Sequence, residues 1–158
     1  MCLTNPVPVT IETSHKVYKI LLVQNDGKRV TPFEKVFVDQ DTLEGKTYFK
    51  AENKNYIPYS NRVGCGYIHV YCDLSGAIED FYHFFSYLGI GIDKAEIYEC
   101  EIPVCNKAEY DPCSYCWTGL FDGDVNVKSA AAREIRFCRL IPESEICDNI
   151  NNFPANNR

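Results

Sequence analysis

Long apolar runs and an excess of basic charge are both missing from this 158-residue chain. No stretch reaches the roughly 20 consecutive apolar residues that a bilayer-spanning helix needs, so a membrane role is not expected. Sixteen Lys and Arg stand against 22 Asp and Glu, a formal net charge of −6. A nucleic-acid backbone binder needs a basic stripe to displace counterions, so no nucleic-acid partner is expected. Residues 1–14 contain Pro6 and Pro8, lack a basic start and hold no apolar core of export-signal length, which places the expectation in the cytoplasm. Glycine-rich phosphate loops, nucleophile elbows, zinc-protease helices and kinase signatures are also missing. Histidine, the side chain suited to proton transfer near neutrality, occurs three times.

What is present describes a folded domain. Hydrophobic residues make up 46%, too many for a disordered chain, and 24% charged suits a globule. The length fits one domain, assigned to residues 1–148. A flexible tail is expected over 149–158, where five of ten residues are Asn. Nine cysteines, an odd number without an export signal, read as reduced thiols rather than a disulfide framework.

Local patterns point to an α+β fold: a twisted, mostly antiparallel sheet packed against one main amphipathic helix. Val17 to Val23 is β-rich, and Asn25-Asp26-Gly27-Lys28 forms a turn signal behind it. Short strands follow at Lys35 to Val38 and Thr47 to Lys50, with a turn from Asp41 to Gly45 between them. The clearest stretch runs from Gly64 to Pro103 and reads strand, helix, strand. Leu74, Ala77, Ile78, Phe81, Phe85 and Leu88 share one helical face, Asp73 caps the start, and Gly89 ends it. Ala95 to Ile102 then alternates Tyr98, Cys100 and Ile102 against Glu99 and Glu101. Asn106 to Lys128 reads as an irregular connection. Ser129 to Ile141 mixes helical alanines with strand alternation and is assigned to a strand.

Two groups of residues could carry chemistry. Cys113 and Cys116 form a C-x-x-C with Cys105 upstream and Cys100 before it. Thiolates at this spacing fit tetrahedral zinc, but Cys100 falls on the buried face of its strand and free cysteine is a common core residue. Idle core thiols, zinc through Cys105, Cys113 and Cys116, and a redox pair at Cys113 and Cys116 all remain open. The second group is His69, Glu99 and Glu101. If their strands are neighbours, the histidine lies beside two carboxylates on one exposed face, an arrangement suited to general acid–base catalysis. The competing reading is a surface histidine in a polar sheet face.

Several segments together resemble a group of small uncharacterised proteins of gut anaerobic bacteria and their phages. They are Met1-Cys2-Leu3-Thr4, Val17-Tyr18-Lys19-Ile20-Leu21, Thr31-Pro32-Phe33, Gly45-Lys46-Thr47-Tyr48, Gly66-Tyr67-Ile68-His69 with its helix, and Glu101-Ile102-Pro103. Members carry Lys-Gly after that proline, where this chain has Val104-Cys105. The resemblance implies an α+β fold, a cytoplasmic phage- or mobile-element protein, and no assigned activity. A second likeness is to ADP-ribosyltransferase-like domains, with Lys19, His69 and Glu134 as the nearest counterparts of their basic, histidine and glutamate positions. The leading expectation is a non-enzymatic binding or protein-interaction module. Eleven tyrosines supply amphipathic contact area for a protein partner or a homo-oligomer. The alternative is a nucleotide-ligand enzyme that uses His69 and a carboxylate.

Overall fold

The computed structural model describes residues 6–9, 14–32, 35–50, 68–86, 89, 91–104, 119–122 and 129–151. Among the described residues, ten strands form one sheet. They are β1 (Pro6–Val9), β2 (His15–Gln24), β3 (Arg29–Val30), β4 (Phe37–Val38), β5 (Phe49–Lys50), β6 (Ile68–Tyr71), β7 (Ile92–Ile102), β8 (Gly119–Asp122), β9 (Ser129–Ala132) and β10 (Glu134–Leu140). The helices are α1 (Gln40–Leu43), α2 (Leu74–Ser86) and α3 (Glu143–Asn151). The main path runs β1-β8-β9-β6-β2-β7-β10-β5, with β3 and β4 branching from β2.

Every pairing among the described residues is antiparallel, as the sequence leads one to expect. The shape differs from expectation: the twisted sheet curls into a near-barrel and is not simply a sheet packed against one main helix. One side-chain layer fills the inside of the curl. It joins Val17 and Leu21 of β2, Ile68 and Val70 of β6, Tyr98, Cys100 and Ile102 of β7, and Ile135 and Phe137 of β10. Ala130 and Ala132 of β9 complete it, and their small size lets the curled sheet close in opposite Val70 and Ile68. A second layer lies outside, where Ile20, Leu22, Tyr71, Ala95 and Ile97 meet Ala77 and Ile78 of α2 and Ile146 near α3's start. With Ile20, Leu21, Leu22 and Val23 all buried, β2 is covered on both faces. Such a continuous apolar run marks a central strand.

The helices follow their caps. Asp73 Oδ1 accepts from the Gly76 amide at 2.8 Å and from the Ser75 hydroxyl at 3.0 Å, which starts α2 where the sequence places it. The expected Asp41–Gly45 turn overlaps α1 instead, capped by Asp39 Oδ1 on the Thr42 amide at 2.8 Å. The Ser129–Ile141 segment is two strands, broken at Arg133. The connection expected to be irregular contains β8, and β1 precedes the expected first strand. Pro6 and Pro8 are two residues apart on β1, so both missing amide donors face one edge, as an edge strand permits. Helix α3 runs through Asn149 to Asn151, which the sequence assigns to the tail. Its Glu145 and Ile146 amides both bond the Pro142 carbonyl, and Glu143 and Glu145 suit the positive end of the helix dipole.

Candidate functional site

Strand β6 does not pair with β7 in the sheet. Tyr18 of β2 stands opposite Tyr71 of β6 on one side and Glu99 of β7 on the other. The β6-α2-β7 unit is therefore a crossover that skips over β2, and the neighbourhood that would bring His69 to Glu99 and Glu101 does not form. The β7 residue level with Ile20 is Ile97, two positions before Glu99. Two inter-strand spacings and two residues along the strand put His69 and Glu99 on the order of 12 Å apart.

His69 is not on a wet face. It is 7% exposed, and strand alternation sets it with Tyr71 on the side covered by α2. Its ring meets Tyr71 edge-to-face at 4.8 Å between centroids, and its Nε2 has no hydrogen-bond partner. Burial pushes its pKa down to about 3, and the Lys19 charge acts in the same direction. The imidazole is therefore neutral at physiological pH. Lys19, itself 6% exposed, donates from Nζ to the His69 backbone oxygen at 2.8 Å.

The two carboxylates are committed to ion pairs outside the curl. Glu99 is 3.7 Å from Lys16 and 3.2 Å from Arg139, and Arg139 also forks onto Glu145 of α3 through two 3.0 Å bonds. Glu101 pairs with Arg136 across the β7–β10 ladder. Tyr18 borders the Glu99 group, and its hydroxyl is raised above its ordinary value by burial and then by the Glu99 charge.

Glu134 is on β10 opposite Lys50, with an ion pair of 4.0 Å. Strand β7 separates it from Lys19, and alternation puts the two on opposite faces. Lys19, His69 and Glu134 therefore do not converge. His15 opens β2 half-buried.

A polar group that sequence reasoning missed lies on the inner face. Glu96 is 7% exposed and is gripped by Arg29 and by the Tyr98 hydroxyl, with Lys94 at 3.5 Å. Burial pushes its carboxyl up, but the hydrogen bonds from Arg29 and Tyr98 outweigh that and hold it below the ordinary range. Burial and the Glu96 carboxylate in turn raise the Tyr98 hydroxyl to about 12. Lys19 stands directly opposite Tyr98 in register. The signal was available: Glu96 shares the parity of Tyr98, Cys100 and Ile102, so a charge falls on the buried side of an alternating strand.

Among the described residues no group of three or more His, Cys, Asp or Glu is placed to hold a metal. Cys105, Cys113 and Cys116 lie outside the described residues, as do Tyr56, Tyr59, Tyr110, Tyr115 and Trp117. Cys100 is buried, its Sγ 3.7 Å from the Tyr98 carbonyl, and burial pushes its thiol up. No described helix is long and apolar enough to cross a membrane. No protein-family model, curated protein or solved structure matches the chain.

Proposed function

We propose that the chain is a cytoplasmic, non-enzymatic binding module that engages a protein partner or a second copy of itself. One observation carries the reading. His69, the best general-base candidate in the sequence, is held neutral beneath α2 with β2 between it and Glu99 and Glu101, both of which are already bonded to arginines. A general base must reach the proton it removes, and a carboxylate locked to arginine is a poor partner for it. Contact surface is available among the described residues, with Phe37, Tyr48, Tyr82, Val104 and Leu140 all at least 40% exposed. Large apolar side chains in that state suit a protein interface.

The test combines mass and turnover. Light scattering on the purified chain over a wide concentration range reads self-association, and cross-linking in a cell extract followed by mass spectrometry reads a partner. In parallel, the chain is incubated with NAD and with nucleoside mono- and diphosphates, and proton NMR follows the small molecules. The expected result is a saturable complex with every nucleotide intact. Steady release of nicotinamide would sink the binding reading and favour the ADP-ribosyltransferase-like one. That second reading is supported by a single observation, the meeting of Lys19 and His69 across β2 and β6.

A further inference from the structure

The two halves of the sheet meet along a thin seam. On one edge of β2, the partner β7 follows from His15 opposite Ile102 to Gln24 opposite Ile92. On the other edge, among the described residues, β6 is in register with β2 at Tyr18 opposite Tyr71 alone, and β3 takes over at Leu22 opposite Val30. Among the described residues, Ile20 and Leu21 have no ladder partner on that edge. The link that reinforces the seam there is a side chain, the Lys19 ammonium on the His69 carbonyl. Beyond β6 lie β9, β8 and β1, so this seam divides the sheet into two groups of strands.

His69 occupies that seam. Its Nε2 is enclosed without a hydrogen-bond partner, an arrangement that costs free energy in the closed state and that water would relieve on opening. The charged and titratable groups around it are unfavourable to a second positive charge or are already engaged. Lys19 reaches it from β2 and is cationic. Tyr71, on its own strand, gives its hydroxyl proton to Asp80 of α2 at 2.7 Å.

We propose that His69 makes the β2–β6 seam an acid-sensitive latch: protonation of its imidazole favours a state in which β6 and β9 part from β2 while β2 and β7 stay paired. In the closed state Nε2 is enclosed, and among the described residues no anion stands against it to receive the proton. In the open state the imidazole is hydrated and takes the proton at its ordinary affinity. Linkage then shifts the balance toward opening as pH falls.

Native-state hydrogen exchange tests this, with intrinsic rates corrected for pH. Between about pH 7.5 and about pH 5, an imidazole of ordinary affinity in the open state raises the opening constant about 30-fold. That increase is expected at the hydrogen-bonded β6 and β9 amides, Ile68–Tyr71 and Ser129–Ala132, and not at the central β7 amides such as Ile97. His69→Gln should abolish most of the increase. Three results would overturn the proposal: β6 protection that is constant with pH, an equal increase at Ile97 that marks global unfolding, or a full increase that survives in His69→Gln. Should the variant fail to fold, the contrast between β6 and β7 in the wild-type chain still decides.

Discussion

Arg29 closes a two-pronged grip on Glu96, with Nε 3.0 Å from Oε2 and Nη2 3.3 Å from Oε1, while the Tyr98 hydroxyl donates to the same Oε2 at 2.8 Å. The carboxylate is almost fully enclosed, so the arginine is what makes its charge tolerable there. Arg29→Met keeps the aliphatic stem and leaves the charge with Tyr98 and a more distant Lys94. Breaking a buried pair from one side costs about 3–5 kcal/mol, and partial exposure of Arg29 puts the expected loss at the lower end. Urea unfolding of Arg29→Met reads it directly. Adding Glu96→Gln to Arg29→Met should recover part of the loss, whereas purely additive costs would contradict the pairing.

The same carboxylate sets a pH dependence. Its folded-state pKa lies below its ordinary 4.5, so the unfolded chain binds the proton more readily. The stabilisation is present above that value and is lost as pH falls through and below it. Glu96→Gln removes the contribution, so its stability should fall less steeply than that of wild type on acidification below the ordinary carboxylate pKa. Parallel acid-unfolding curves for the two proteins would be the contrary result.

Gly45 makes a different kind of prediction, because the constraint is backbone and space together. Its φ is +75°, and a Cβ placed there would lie 2.6 Å from the Phe137 carbonyl oxygen. The residue ends the α1 segment against β10, and both the left-handed turn and the close approach require glycine. Gly45→Ala is expected to cost on the order of 2–4 kcal/mol, through strain plus displacement of a core strand. Gly27 also has a positive φ, at +83°, but nothing lies within 4 Å of its Cβ position. Gly27→Ala should therefore cost only the backbone strain, about 1 kcal/mol, and the difference in melting midpoint between the two variants separates the effects.

What could be read in advance was whatever has a short period. Helix α2 announced itself through Ala77, Ile78 and Phe81 on one face and Asp73 at its start, all within one window. Central placement of β2 was implicit in Ile20-Leu21-Leu22-Val23. Strand order was not legible, because nothing in Ile68–Tyr71 or Ile92–Ile102 encodes that β2 lies between them. For that reason the sequence places His69 beside Glu99 where the structure does not, and it marks His69 as exposed because its cover, α2, comes from a position later in the chain. Helix α3 was missed although its signals were present: Pro142 ahead of it, two glutamates in its first turn, and Ile146 against the outer core. The asparagines of the tail masked them.

Tyr71 ties β6 to α2 by a hydrogen bond of 2.7 Å to Asp80 Oδ2. Burial first, and the bond to Asp80 second, raise the phenol far above its ordinary pKa, so it remains a donor at every physiological pH. Tyr71→Phe keeps the ring and its edge-to-face contact with His69 while removing the donor. Asp80 is only half-buried, so water can replace the lost partner, and the expected cost is about 1–2 kcal/mol. Urea unfolding measures that cost, and exchange at the α2 amides shows whether the helix loosens before the sheet does. No change in either would mean that apolar packing alone holds α2 in place.

Helix α3 is held by both charge and apolar packing, and the two can be separated. Arg139 forks onto Glu145 and also bonds Glu99, a network drawn tight enough to raise the guanidinium above its ordinary value. Yet Arg139 is 46% exposed, and exposed networks are weakened by salt and by the entropy of ordering long side chains. Ile146 is 5% exposed and Ile141 3%, both in the outer core. Deleting a buried isoleucine side chain costs about 2–5 kcal/mol, which should exceed anything the surface charges supply. Ile146→Ala is therefore expected to lower the unfolding midpoint markedly at any ionic strength. Arg139→Ala should lower it slightly in dilute buffer and not at all in concentrated salt. The reverse ranking would mean that the ion pairs, and not the isoleucines, hold α3 against the curled sheet.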